Sequence, residues 1–147
     1  MPQQPAFTAD DFRLHASEKP STSRWQASSS VPTPFGSFIV ELNAPPDAGV
    51  IQLVNETATL LVREQETILN SAYGLYQQAA EDKYWMKQHR VPRDLDRDQI
   101  EEYLRDLFIF VRRDNRGVAS ATISMRATWD SEHLISFGIR SGRLVPQ

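Results

Sequence analysis

Apolar positions along this chain recur first at strand spacing, then at helical spacing, then at strand spacing again. Trp25, Ala27, Ser29 and Val31 fall on one side of an extended segment. Pro32-Thr33-Pro34 forces a turn or extended link, because each proline fixes φ and removes a donor. Phe35 to Leu42 reads as a second strand, closed by Asn43-Ala44-Pro45-Pro46-Asp47-Ala48-Gly49. The period then changes. Ala58, Leu61, Ile68, Ala72, Leu75 and Ala79 recur at helical intervals, and Leu60, Tyr73 and Tyr76 widen the stripe. Asn55 is placed as the N-cap, with Glu56 in the first turn, and Pro92 stops the irregular stretch after the helix. Gly74, inside the helix, points to close approach by another backbone.

A second, short helix is expected near Asp96 or Asp98, since Asp96 with Gln99 and Asp98 with Glu101 both have capping-box spacing. Phe108 to Val111 is an apolar strand, and Asp114-Asn115-Arg116-Gly117 is a turn signal. Ala119 to Trp129 alternates cleanly, with Ala121, Ile123, Met125, Ala127 and Trp129 on one face. A corner at Asp130-Ser131-Glu132-His133 leads to Leu134–Arg140, a Ser141-Gly142 turn and a closing strand Arg143-Leu144-Val145. The sum is a two-layer α+β fold. An antiparallel sheet of about five or six strands, an N-terminal pair plus a C-terminal meander, is covered on one face by the long helix and the short one.

Length and composition add bounds. The 147 residues suit one domain, placed at 23–147 behind a partly ordered lead-in at 1–22, from which Phe7, Phe12 and Leu14 are available to dock. The absence of cysteine excludes thiol nucleophiles, zinc-thiolate sites and disulfides. The start MPQQPAFTADDF has no signal-peptide pattern, and no apolar run reaches spanning length, so a cytoplasmic protein without a membrane partner is expected. A net charge of −3, with bases interleaved among acids at 93–98, argues against a nucleic-acid partner.

Two clusters invite a chemical reading. Asp130, Glu132 and His133, beside Trp129, could bind a metal or carry acid–base chemistry. Strand neighbours point to opposite faces, however, and His15 and His89 lie at no recognised ligand spacing. A structural corner is favoured: Trp129 fills the core while Asp130 and His133 hydrogen-bond turn backbone. The other cluster is Tyr73, Tyr76, Tyr84, Trp85 and Met86, residue types enriched at interface hot spots. Tyr84, Trp85 and Met86 are expected to be the exposed members, because three adjacent residues cannot all face one core. There is no phosphate loop, nucleophile elbow or HExxH, so neither catalysis nor a cofactor is expected.

The order of these elements resembles a family of small bacterial proteins known as a domain of unknown function. The resemblance rests on the Phe35-Gly36 step, the Gln65–Tyr76 helix and above all Trp129-Asp130-Ser131-Glu132-His133 before Gly138 and Ser141-Gly142. It covers roughly residues 24–147. Such sequences usually carry an acid where Ser131 stands and a glycine where Leu134 stands, which implies a differently shaped corner here. The resemblance implies a place in toxin–immunity neighbourhoods and no enzymatic activity. The leading expectation is therefore an immunity protein that occludes a cognate toxin or effector, such as one delivered by type VI secretion. Glu81, Asp82, Tyr84, Trp85, Asp94, Asp96 and Asp98 are the candidate contact residues. An effector adaptor or chaperone, and a small metal-dependent hydrolase using Asp130, Glu132 and His133, are the alternatives.

Overall fold

In a computed structural model of the chain, residues 7–15, 24–28, 33 and 35–147 are described. Seven strands form one sheet in sequence order: β1 (Arg13–His15), β2 (Arg24–Ser28), β3 (Phe38–Leu42), β4 (Leu104–Arg113), β5 (Ala119–Ala127), β6 (Asp130–Arg140) and β7 (Arg143–Pro146). Three helices, α1 (Ala48–Arg63), α2 (Gln65–Ala80) and α3 (Lys83–Gln88), lie between β3 and β4. The α+β reading holds, with seven strands instead of five or six. The sheet is mixed. All neighbours are antiparallel except β3 and β4, which pair in parallel from Phe38↔Leu107 to Leu42↔Val111. The intervening helices make this possible, because parallel strands need a long crossover.

The helical region begins earlier than Asn55. Asp47 is the N-cap, and its carboxylate accepts the Val50 N–H at 2.9 Å. Asn55 sits inside α1, where its amide exchanges two hydrogen bonds with the Phe7 backbone, at 2.7 and 3.0 Å. That clasp seats Phe7 and Phe12 in the core, so residues 7–15 are tied to the domain, while Leu14 on β1 remains exposed. Arg24–Ser28 forms β2; Ser29 and Val31 of the expected strand, with Pro32 and Pro34 of the expected link, lie outside the described residues, as do 1–6 and 16–23.

The expected long helix is two helices meeting at Glu64, which is 6% exposed. Its carboxylate bonds Arg143 Nε at 2.9 Å and the Leu144 N–H at 3.3 Å, pinning β7 to the helix junction. The second short helix reduces to a 3-10 turn, Ile100–Tyr103. Asp96 and Gln99 do form reciprocal side-chain-to-backbone bonds before it, at 2.9 and 3.1 Å. One face of the sheet, with Phe38, Val40, Leu42, Ile109, Val111, Ile123, Met125 and Phe137, is buried beneath the helices. Against it α1 packs on β4, β5 and β7, whereas the main neighbours of α2 are α3 and the 3-10 turn.

Asp47 also receives Arg113, whose guanidinium reaches both carboxylate oxygens at 2.9 Å. The Val50 N–H and then Arg113 hold its pKa below the ordinary 3.8. A carboxyl with a depressed folded pKa stabilises the fold above its unfolded value, and that contribution is lost as pH falls through the folded value. Urea midpoints followed downward from about pH 4 should therefore drop less steeply for Asp47→Asn than for the parent. Parallel slopes would remove Asp47 from the acid response.

Candidate functional site

Asp82 organises the end of the helical layer. Its carboxylate accepts the Tyr84 and Trp85 N–H groups at 3.1 and 3.0 Å and so starts α3. This short helix sends its three adjacent large residues in different directions. Met86 is fully buried, contrary to the expected exposure, Trp85 is half-buried, and Tyr84 is 76% exposed with Lys83 Nζ over its ring. The Trp85 indole N–H donates to the Trp129 carbonyl, and its ring packs on the His89 imidazole at 4.3 Å.

Trp129 is 2% exposed and meets Tyr76 edge-on at 5.3 Å. The tight turn is Thr128-Trp129, one step earlier than the sequence placed the corner. Pairing then jumps from Arg126↔Leu134 to Ala127↔Asp130, so residues 131–133 bulge out of the ladder. Asp130 holds the bulge: its Oδ1 accepts the Glu132 and His133 N–H groups, each at 3.2 Å. His133 Nδ1 lies 3.1 Å from both carboxylate oxygens. Leu134 follows without positive φ.

These two constructions face each other across a groove of about 700 Å³ between α2 and β6. Leu75, Trp129, Ile135 and Phe137 supply apolar walls, while Gln78, Asp82, Asp130, His133 and Gln147 supply polar ones. Among the described residues, the lining holds two side-chain carboxylates and neither Lys nor Arg. Gly74 opens onto the groove, and a Cβ there would meet nothing within 4 Å; the backbone expected against it is absent among the described residues. The structure thus brings Asp82 and Trp85 to the same site as Trp129, Asp130 and His133, two clusters the sequence kept apart. Ser71, Ile135 and Phe137 complete it without having carried any signal, because their meeting depends on the path α2 takes after Glu64.

The remaining candidates lie outside the groove. Glu81 and Asp94 flank Arg93, whose Nε donates to the Ala80 carbonyl at 2.7 Å. Asp96 is occupied with Gln99, and Asp98 lies 3.4 Å from Arg97, which also binds Glu66 and Asn70. Asn70 and Glu81 are roughly 16 Å apart along the helix axis, so Asp98 belongs to a different patch. Glu132 is exposed. Residues 81–98 hold five acids and five Lys or Arg, so the stretch as a whole is neutral and the acidic character is local to the groove.

Tyr76 fixes the loop carrying Asp94. Its hydroxyl donates to the Pro92 carbonyl at 2.5 Å and accepts the Leu95 N–H at 3.0 Å, and burial pushes its pKa up. Tyr76→Phe should cost about 1–3 kcal/mol in urea unfolding, since both backbone groups lose a partner. A cost below about 0.5 kcal/mol would mean that water replaces the hydroxyl.

Among the described residues, no group of three or more His, Cys, Asp and Glu could hold a metal ion, and no helix is long and apolar enough to cross a membrane. Comparison with protein-family models, curated proteins and solved structures gave no match to this chain.

Proposed function

We propose that this chain is a non-catalytic immunity protein that binds a cognate bacterial toxin or effector domain and blocks it by stoichiometric occlusion. The groove between α2 and β6 carries the reading. It has apolar walls and carboxylates at Asp82 and Asp130, with neither Lys nor Arg lining it among the described residues. Such a site is complementary to a Lys- or Arg-bearing protrusion, and basic residues line the clefts of toxins that act on nucleic acids or nucleotides. Tyr84 stands beside it as an exposed aromatic on a capped helix, the kind of side chain that anchors interfaces at low entropic cost. The same class is the one expected from the sequence around the Trp129–His133 step.

Gly74 offers a clean test. Gly74→Arg places a bulky cation in the groove while relieving a helix of glycine, so stability should rise by about 0.5–1 kcal/mol. Binding to the toxin encoded beside the gene, and protection of cells against it, should both be lost. A Gly74→Arg protein that still binds and protects removes the groove from the interface. A complex in which the toxin remains active would identify an adaptor instead.

A further inference from the structure

Strand β6 outruns its neighbour. Its C-terminal end pairs with β7 from Phe137↔Pro146 to Arg140↔Arg143, and the Gln147 N–H adds a bond to the Ser136 carbonyl at 2.9 Å. Beyond that point β6 is still held by β5, through Met125↔Ile135 and Arg126↔Leu134. Among the described residues, no strand lies on its other side there. The Ser136–Gln147 bond fixes the sense of the ladder. Main-chain groups of an antiparallel strand alternate between its two neighbours, so Ser136 and Leu134 turn theirs to the β7 side and Ile135 turns its own to β5. The Leu134 N–H and C=O thus form an open edge, and the residue is 47% exposed. That edge is one wall of the groove, and α2 is the other.

We infer that this edge takes one extended segment of the partner as an added strand, in line with β7 and antiparallel to β6. The inference deepens the occlusion reading and rests on it for the choice of the groove. One partner residue exchanges both main-chain hydrogen bonds with Leu134. The residue before it lies opposite Ile135 and meets the apolar walls made by Leu75 and Phe137. The residue after it lies opposite His133, where Asp130 and Asp82 favour Lys or Arg. The occupant is therefore an extended segment of apolar-x-basic pattern. A helical segment fits less well, since its main-chain groups are satisfied internally and none is left for the edge.

The probe is a capped tetrapeptide, isoleucine-threonine-arginine-threonine, titrated into the isotope-labelled full chain and followed by NMR. It starts at isoleucine because Gln147 already occupies the place opposite Ser136. Binding at about 1 mM or tighter should shift the Leu134, Ser136 and Gln147 amides and slow hydrogen exchange at Leu134. N-methylation of the first threonine should weaken binding about tenfold, because the Leu134 carbonyl loses its donor. Glutamate in place of the arginine should weaken it by about tenfold or more. Leu134→Pro should abolish binding and leave the β5–β6 ladder intact, since the N–H it removes points away from β5. Equal binding of the N-methylated peptide overturns the inference and leaves the groove a site for side chains alone. Failure of the parent peptide to bind also overturns it, whereas the occlusion reading falls only if Gly74→Arg still binds and protects. Protection at Leu134 without peptide, lost on dilution, overturns it too and assigns the edge to a second copy of this chain.

Discussion

Trp129→Ala should lower the unfolding free energy by about 3–5 kcal/mol, the largest loss expected of any single substitution in this protein. The indole is 2% exposed and shares its contacts with Tyr76, another of the largest fully buried side chains. Collapse around the lost ring is opposed on both sides. The Trp129 backbone is held by the Trp85 indole, and the neighbouring Thr128 N–H is held by the Tyr103 carbonyl at 2.8 Å. A cavity therefore remains, and its cost adds to that of transfer. Against a total stability of about 5–15 kcal/mol, the variant should melt roughly 10 °C or more below the parent. Trp129→Phe, which keeps an aromatic edge against Tyr76, should recover part of the loss. A Trp129→Ala protein within about 1 kcal/mol of the parent would show that the ring contributes little to the core.

The C-terminal meander was legible because its physics is local. Ala119–Ala127 alternates without interruption, and Asp114–Gly117 supplies its own turn, with Asp114 Oδ1 accepting the Arg116 and Val118 N–H groups at 2.8 and 2.9 Å. The helix start was misplaced for an equally local reason. Asp47 and Asn55 are both good caps, and the choice between them was decided by partners distant in sequence, Arg113 for one and Phe7 for the other. The parallel β3–β4 pair has no local signature at all, since it joins segments separated by the whole helical layer. At the candidate site, residue types were visible but proximity was not. Period-two alternation set Glu132 and His133 apart and gave no hint that a bulge would fold His133 back onto Asp130.

The junction at Glu64 ties the helical layer to the β7 edge of the sheet. Glu64→Ala should cost about 2–4 kcal/mol, because it removes charge-assisted hydrogen bonds to Arg143 and Leu144 and leaves the Leu144 N–H without a partner. The loss should begin locally. β7 is four residues long and, among the described residues, has β6 alone as a strand neighbour, so amide exchange at Leu144 should rise well before the β4–β5 amides respond. Glu64→Gln, which keeps the acceptor oxygen but not the charge, should lie between parent and alanine. Uniform acceleration of exchange across the sheet would mean that Glu64 supports the α1–α2 junction as a whole, with no special hold on β7. Exchange confined to β7 would make it a clasp on that strand, and since Pro146 and Gln147 line the groove, Glu64→Ala would then weaken partner binding without touching a groove residue.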